Sequence, residues 1–182
     1  MATAEAPKDA LVYQFPHDMD KVYNAITSDE YIHARCQWIG DRAEIQRQVG
    51  ADGAVTLKLD RYVTKNYPKA FKKLFPAEQH MEHDEKWERD GSNWKGRYNV
   101  DVDGAPVVVA SDFTLKRTGT GCDLSIWHTV TAKIPIIGGR VEKYIIGETR
   151  AQFGDQLHFL DMWLAGTPDL LPRDKSKYPV PH

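Results

Sequence analysis

The sequence predicts an α+β protein in which a curved antiparallel sheet of about seven strands lies against one long C-terminal helix. Two observations carry this prediction. Six segments with apolar residues at alternate positions follow one another between residues 43 and 134, and tight turns join most of them. Such short turns connect antiparallel strands and cannot connect parallel ones. A long amphipathic helical pattern then covers residues 139–165 and ends at Gly166.

A strand and two short helices come before these segments. Leu11, Tyr13 and Phe15 alternate in LVYQF, which predicts a strand over residues 11–15. Apolar residues at helical spacing follow in residues 17–27, with Asp18 in a position to cap the helix. The stretch DEYIHARCQWIG predicts a second short helix that ends at Gly40.

The remaining strands form a meander. They are predicted over residues 43–49, 54–62, 78–88, 92–102, 105–117 and 122–134. Glycine and aspartate pairs such as Asp90-Gly91 and Asp103-Gly104 supply the turns between them. A curved sheet cannot press flat against a straight helix, so the space between them holds either packed side chains or a ligand cavity.

Composition narrows the class of protein. Hydrophobic residues make up 41% of the 182 residues, charged residues make up 27%, and the net charge is −2. This balance is typical of a globular domain and argues against a general nucleic-acid binder. The chain has no apolar run long enough for stable membrane insertion and no apolar signal core, so we expect a cytoplasmic protein. We expect a flexible N-terminus (1–10), a single domain (11–166) and a proline-rich tail (167–182).

The junction AKIPIIGGRVEKYII, residues 132–146, changes its pattern in the middle. Pro135 has no N–H for a strand ladder and should end the last strand. Ile134, Ile136 and Ile137 are expected to hold the linker against the core, and Gly138-Gly139 lets the chain reverse into the helix. This junction therefore sets how closely the helix lies on the sheet.

Three stretches carry a family resemblance: YIHARCQ in the second helix, KIPIIGGRVEK at the junction and FLDMWLAG near the end of the long helix. With the order of elements over residues 11–165, they make the chain resemble a START-like (SRPBCC superfamily) helix-grip protein. More narrowly, the chain resembles a bacterial branch known as the domain of unknown function 2505. The resemblance implies a pocket between the sheet and the C-terminal helix for a hydrophobic or amphipathic ligand. It implies no catalytic residue and no cofactor.

Strand alternation selects the residues that would line this pocket. Polar side chains interrupt the apolar inner face of the predicted sheet, and three polar residues interrupt the apolar stripe of the helix. Burying such groups without partners costs on the order of 1–3 kcal/mol each, so they need partners or a ligand. The candidate cavity residues are Arg61, Glu85, Trp94, Tyr98, Val109, Ser111, Phe113, Ile126, His128, Val130, Ile145, Thr149, Gln152 and Gln156.

Plainer interpretations remain open for several of these residues. Arg61 and Glu85 would also suit a structural ion pair, and His128 would suit a buried core histidine. His80 and His83 of HMEHDE are at an odd offset, which on a strand puts them on opposite faces and argues against a shared metal.

The stretch YVTKNYPKAFKKLFPA, residues 62–77, has two interpretations. Tyr67, Phe71 and Phe75 would belong to a mobile lid whose lysines meet an acidic headgroup or a membrane surface. Alternatively, the stretch forms a short amphipathic helix packed on the body, with its lysines in water.

The sequence thus predicts a protein that binds, carries or senses a small hydrophobic or lipid-like ligand. An enzyme of the cyclase, aromatase or hydrolase kind would use the same cavity, with Glu85, His83 and His128 as acid–base candidates and Arg61 as an anion partner. A ligand-free interaction module is the third possibility. The identity of the ligand and the oligomeric state do not follow from the sequence.

Overall fold

The computed structural model describes residues 6–168 and contains one seven-stranded antiparallel sheet with three helices. The strands occur along the sheet in the order β1-β7-β6-β5-β4-β3-β2. The predicted fold class is therefore confirmed. The elements are β1 (Leu11–Phe15), α1 (Met19–Ile26), α2 (Asp29–Ile39), β2 (Arg42–Val49), β3 (Val55–Thr64), β4 (Glu78–Asp90), β5 (Asn93–Val102), β6 (Val107–Arg117), β7 (Cys122–Ala132) and α3 (Gly138–Leu164).

Side-chain caps start the two short helices. Asp18 accepts a hydrogen bond from the backbone N–H of Asp20 at 2.8 Å, as the sequence predicts for α1. Ser28 accepts from the N–H of Tyr31 at 3.2 Å at the start of α2. Gly40 ends α2 in the left-handed conformation with φ 85°, which a residue without Cβ adopts at little cost.

The inner face of the sheet follows the predicted alternation. On β4, Met81, His83, Glu85 and Trp87 are buried, and their neighbours point to the outer face. Gly96 of β5 lies opposite Trp87, and a Cβ at this position would come within 2.7 Å of the indole ring. Glycine at 96 thus makes room for a large aromatic side chain beside the polar residues of β4.

The junction before α3 differs from its prediction at one residue. Ile134 and Ile137 pack on the core, but Ile136 is 103% exposed and has φ 70°. The N–H of Ile137 donates to the carbonyl of Pro135 at 2.8 Å, which closes a three-residue turn around Ile136. This tight turn points the Ile136 side chain away from the core. The prediction that all three isoleucines hold the linker was wrong for Ile136.

Gly138 brings α3 close to the end of β7. Its N–H donates to the carbonyl of Ile134 at 3.0 Å, and a Cβ on this residue would lie 2.9 Å from the carbonyl oxygen of Ala132. A side chain here would push the helix away from the sheet. The junction therefore restricts the helix–sheet separation in the way the sequence predicts.

The segment 65–77 is not the short helix that one interpretation of the sequence favours. It consists of turns in which the N–H groups of Phe71 and Leu74 donate to carbonyls three residues earlier. Two prolines in this segment, Pro68 and Pro76, lack the N–H that a regular helix needs. Aromatic packing holds it instead: the rings of Tyr67 and Phe75 stack with centroids 4.7 Å apart.

The chain ends are only partly described. The predicted tail lies outside the described residues beyond Pro168, as does the predicted flexible N-terminus before residue 6. In the part that is described, Arg150 of α3 donates to the carbonyl of Asp9 at 3.1 Å. Among the helices of residues 6–168, none is both long and apolar enough to cross a membrane.

Candidate functional site

Two cavities that share part of their lining, here called lobes, lie between the inner face of the sheet and α3. The first, here called the polar lobe, has a volume of about 50 Å³ and contains most of the buried charged groups. Its walls come from α1, α2, the centre of the sheet and the C-terminal half of α3. The lining residues are Ile26, Tyr31, Arg35, Arg61, His83, Glu85, Trp87, Tyr98, Phe113, Leu124, Ile126, Gln152, Phe153, Gln156, Leu157 and Leu160.

The second lobe, here called the valine lobe, also has a volume of about 50 Å³ and lies under the N-terminal half of α3. Four valines of β5 and β6 form its floor, and the 65–77 segment forms one side. The two lobes share Arg61, Tyr98 and Gln152 as a common wall. The lining residues are Arg61, Lys65, Tyr67, Phe75, Met81, Tyr98, Val100, Val102, Val107, Val109, Ile145, Glu148, Thr149 and Gln152.

The size of the lobes limits what fits without movement. A buried water needs on the order of 10–15 Å³ by the same measure, so each lobe has room for a few water-sized groups. Pockets for drug-sized ligands measure roughly 300–1,000 Å³. A long-chain lipid therefore requires the shared wall or the 65–77 segment to move, whereas a small molecule requires much less.

Glu85 is the centre of the polar lobe. Its carboxylate accepts hydrogen bonds from the Trp87 indole N–H and from Nε2 of His83, the latter at 3.1 Å. Burial by itself would raise the pKa of Glu85, but these hydrogen bonds and the nearby Arg35 outweigh it and hold the pKa below its usual value. Glu85 is therefore an ionised carboxylate that two donors orient.

His83 is neutral beside it. Burial lowers the pKa of His83 below its usual value and outweighs the opposite effect of Glu85. An ionised carboxylate only accepts hydrogen bonds, so the ring proton of His83 is on Nε2, which faces Glu85. The other ring nitrogen, Nδ1, then has a free lone pair and is buried with no hydrogen-bond partner in residues 6–168.

Arg35 is a site residue that the sequence argument missed. It lines the polar lobe from α2, and its Nε–H is buried without a hydrogen-bond partner among the described residues. Its guanidinium carbon lies 5.7 Å from the centre of the Tyr31 ring. The available signal was the spacing of Tyr31 and Arg35, because Arg35 lies one helical turn after Tyr31 on a helix whose buried residues are apolar or aromatic.

Arg61 has a different partner from the one considered in the sequence. Its guanidinium forms a buried ion pair with Asp41, with Nε 3.1 Å from Oδ2, and both side chains are more than nine-tenths buried. The Arg61–Glu85 pair was therefore wrong. Arg61 and Glu85 occupy β3 and β4 but are not cross-strand neighbours, because Arg61 lies opposite Met81 and Glu85 lies opposite Leu57.

Most of the predicted cavity residues lie in the two lobes. The polar lobe brings together Arg61, Glu85, Tyr98, Phe113, Ile126, Gln152 and Gln156. The valine lobe adds Val109, Ile145 and Thr149, and the predicted lid residues Tyr67 and Phe75 also line it. Trp94, Ser111, His128, Val130 and Phe71 line neither lobe.

Ser111 and His128 form a hydrogen-bonded pair outside both lobes. The Ser111 hydroxyl and Nδ1 of His128 are 2.6 Å apart, and the imidazole lies against Phe153 with ring centroids 5.0 Å apart. Burial, with a smaller effect from Arg150, lowers the pKa of His128 to about 4. His128 is thus a neutral packed histidine, which agrees with the plainer interpretation of its position.

Trp94 and Phe71 pack at opposite ends of the molecule. Trp94 stacks on Tyr23 of α1 with ring centroids 3.6 Å apart, and the Arg89 guanidinium carbon lies 3.9 Å from its ring centre. Phe71 contacts Tyr144 of α3, with centroids 5.1 Å apart. Both residues support the elements around the cavity without lining it.

His80 and His83 point to opposite faces of β4, as the sequence predicts. His80 is on the outer face, where its two ring nitrogens lie 2.8 Å from Asp103 and 3.2 Å from Asp60. The hydrogen bond with Asp103, followed by that with Asp60, raises the pKa of His80. Glu82 lies close to His80 and Asp103. These contacts have the form of an exposed ion-pair cluster.

The fold and the cavity together define a class of protein: an α+β, helix-grip-like domain with a long helix across a curved open sheet. Residues 11–164 match the family model described as a protein of unknown function, DUF2505, and the chain belongs to this family. The branch predicted from the three stretches is thus confirmed. A search of curated proteins gives no significant match.

Solved bacterial structures share the fold at low sequence identity. A protein from Thermus thermophilus is 13% identical with a TM-score of 0.56, and the alignment covers 90% of this chain and 100% of that one. A protein from Chromobacterium violaceum is 18% identical with a TM-score of 0.52, covering 88% and 96%. A protein from Rhodobacter sphaeroides is 13% identical with a TM-score of 0.52, covering 86% and 91%. These similarities concern the fold alone.

Proposed function

We propose that this protein binds a small amphipathic molecule in the two-lobed cavity between the sheet and α3. The observation that carries the proposal is that two residues lining the polar lobe, Arg35 and His83, each have a buried polar atom without a hydrogen-bond partner among the described residues, namely Nε of Arg35 and Nδ1 of His83. Burying such atoms unpaired costs about 1–3 kcal/mol each. A cavity that serves only packing would gain stability from apolar residues at these positions.

The 65–77 segment supplies the route by which a ligand would enter. It closes the valine lobe through Tyr67 and Phe75 and lies between two strands without a strand ladder of its own. Three of its four lysines, at positions 69, 72 and 73, are exposed. We propose that this segment acts as the lid and that its displacement enlarges the valine lobe for the apolar part of the ligand.

Native mass spectrometry of the protein purified from its own host tests the proposal. We expect a co-purified small molecule, which should also raise the melting temperature when it is added back to protein freed of ligand. Ile126→Trp places a large ring in the polar lobe, and Val109→Trp does the same in the valine lobe. Both variants should lose the bound molecule.

Thr129→Trp is the matched control, because Thr129 is exposed on the outer face of the same strand as Ile126. This variant should keep the molecule. Uptake that persists in Ile126→Trp and Val109→Trp would contradict a binding site in the cavity.

One observation favours an enzyme as a second candidate. Glu85 orients a neutral His83 that lines the polar lobe and whose buried Nδ1 has no hydrogen-bond partner among the described residues, and this is the arrangement of a general base with its orienting carboxylate. The test is to incubate the co-purified molecule with wild-type protein and with His83→Gln, and to follow its chemical conversion by mass spectrometry. Conversion lost in His83→Gln would favour catalysis, and equal amounts of unchanged molecule in both would contradict it.

The small volume of the lobes favours a third candidate, an interaction module with a nearly filled core. Such a protein would carry no small molecule, and Ile126→Trp would leave its partner binding intact. Absence of any co-purified molecule, together with an unchanged melting temperature over a panel of amphipathic compounds, would favour this candidate over ligand binding.

A further inference from the structure

The chemistry of the polar lobe narrows the class of ligand, and this inference rests on the proposed function. Two residues that line the lobe each have a buried atom without a hydrogen-bond partner in residues 6–168, and the two atoms are of opposite type. The Nε–H of Arg35 is a donor, and Nδ1 of His83 is an acceptor. His83 is only 5% exposed, so its acceptor cannot turn to bulk water while the lobe is closed. A ligand group that both accepts and donates would satisfy the two atoms together.

The charges around the lobe balance. Arg61 is neutralised by Asp41, with which it forms a buried ion pair. The positive charge of Arg35 is matched by the negative charge of Glu85, and neutral His83 adds none. Burial raises the pKa of Tyr31 and of Tyr98, so both phenols stay protonated. The remaining polar lining side chains are the Trp87 indole and two glutamines, which are uncharged.

This balance disfavours a charged ligand group. A carboxylate or phosphate would accept from Arg35 but would bring a negative charge toward Glu85 and a second acceptor toward Nδ1 of His83. An ammonium group would donate to Nδ1 but would meet the Arg35 donor. A group of either charge would also have to move from water into a lobe that has no counterion for it, which is costly in a low-dielectric interior.

We propose that the polar lobe binds the uncharged hydroxyl group of a small, otherwise apolar molecule. The Nε–H of Arg35 donates to the hydroxyl oxygen, and the hydroxyl proton is donated to Nδ1 of His83. Glu85 acts as a positioning residue, because its bond to Nε2 of His83 keeps the lone pair on Nδ1. The aromatic walls of the lobe, which include Phe113 and Phe153 with centroids 5.8 Å apart, surround the apolar part.

Four compounds of the same size test this assignment: benzyl alcohol, toluene, benzoate and benzylamine, which differ at the group attached to one ring. Dissociation constants at pH 7.5 come from calorimetry or from NMR shifts of the cavity methyl groups. We expect benzyl alcohol to bind at least roughly tenfold more tightly than each of the others, since a site built for a hydroxyl group rejects analogues that lack it.

Two variants remove one partner each. Arg35→Met removes the donor and His83→Leu removes the acceptor, and each should bring benzyl alcohol and toluene to similar affinities. Either variant alone can carry the test if the other fails to fold. His33→Leu is the control, because His33 is exposed on the same helix as Arg35 and should keep the wild-type preference.

The outcomes separate this inference from the proposed function. Benzoate or benzylamine binding as tightly as the alcohol would overturn the hydroxyl assignment and leave cavity binding standing. The hydroxyl assignment would also be overturned, with cavity binding left standing, if Arg35→Met and His83→Leu kept the wild-type preference for benzyl alcohol over the other compounds. If none of the four compounds binds, the hydroxyl assignment is overturned. If the wild-type protein also carries no co-purified molecule, the proposed function is overturned as well.

Discussion

The polar lobe and the valine lobe lie under the same helix and share three wall residues, yet different forces hold them together. In the polar lobe, Glu85 accepts from His83 and Trp87, and each of these bonds is directional. In the valine lobe, the floor is formed by apolar side chains of β5 and β6. Their packing is stabilised by the burial of apolar surface, which has no directional preference. If the proposed binding holds, the polar lobe should therefore be selective for a particular group, whereas the valine lobe should accept any apolar surface of suitable size.

This difference predicts how each lobe responds to substitution. Removing one partner from a buried polar cluster leaves other groups unpaired, so its cost exceeds the loss of one contact. Removing methyl groups from an apolar wall that already borders a void costs little more than their transfer to water. Substitutions in the two lobes should thus differ in size and in additivity.

The largest effect is expected for Glu85→Ala. This change leaves the Trp87 N–H and the Nε2–H of His83 without an acceptor and Arg35 without its counter-charge, so we expect a loss of about 3–5 kcal/mol in the free energy of unfolding. Urea denaturation measures it. Asp84→Ala, on the same strand but with an exposed side chain in a 3.8 Å surface pair with Lys58, should change stability by less than about 1 kcal/mol. Equal effects would contradict the assigned role of Glu85.

The second-largest loss of stability is expected at Arg61, in the wall that the two lobes share. Arg61→Leu leaves the Asp41 carboxylate buried without its partner and should cost about 3 kcal/mol. The double variant Arg61→Leu with Asp41→Leu removes both charges and should recover most of that loss. A double-mutant cycle by urea denaturation measures the coupling. Additive losses would show that the pair does not contribute as a unit.

A pH effect is expected from His128, which lies outside both lobes. Its pKa of about 4 in the folded protein is below the ordinary value of 6.5, because burial disfavours the charged form. Between these two values the unfolded chain binds a proton that the folded protein does not. The resulting stability is present above about pH 6.5 and is lost as the pH falls toward 4.

His128→Gln should reduce that loss by about 2 kcal/mol, allowing for partial exposure of the ring. Urea midpoints measured from pH 7 to pH 4 provide the test. Thr129→Ala, a change at the exposed neighbouring residue, should keep the wild-type pH dependence. If the stability of His128→Gln falls with pH as steeply as that of the wild type, His128 does not contribute to the pH dependence.

The smallest effect is expected in the valine lobe. Val109→Ala removes the equivalent of two methylene groups and should cost about 1.5 kcal/mol. The adjacent Val108 is 43% exposed on the outer face, so Val108→Ala should stay within about 0.5 kcal/mol of the wild type. If Val109→Ala lowered the free energy of unfolding as much as Glu85→Ala does, the distinction between the two lobes would be wrong.

Much of the site could be predicted from alternation along the strands. Glu85 and Tyr98 are buried on the inner face because the two-residue period places them there, and Gln152 faces the sheet because of the helical period. Trp94 and Ser111 also lie on the inner face but outside both lobes. A strand period gives the face of a residue, but it does not give the position of the cavity along the strand.

The sequence by itself determined the order of elements, the antiparallel sheet, the faces of the strands and the sharp entry into α3. These features follow from local rules: alternation, turn residues, caps, proline and glycine. Only the tertiary structure decided that Arg61 pairs with Asp41, that Arg35 of α2 reaches the polar lobe, that Ile136 faces solvent and that each lobe measures about 50 Å³. These outcomes depend on distances between side chains of elements that are far apart in the chain, and small shifts in helix position change such distances without changing any local pattern.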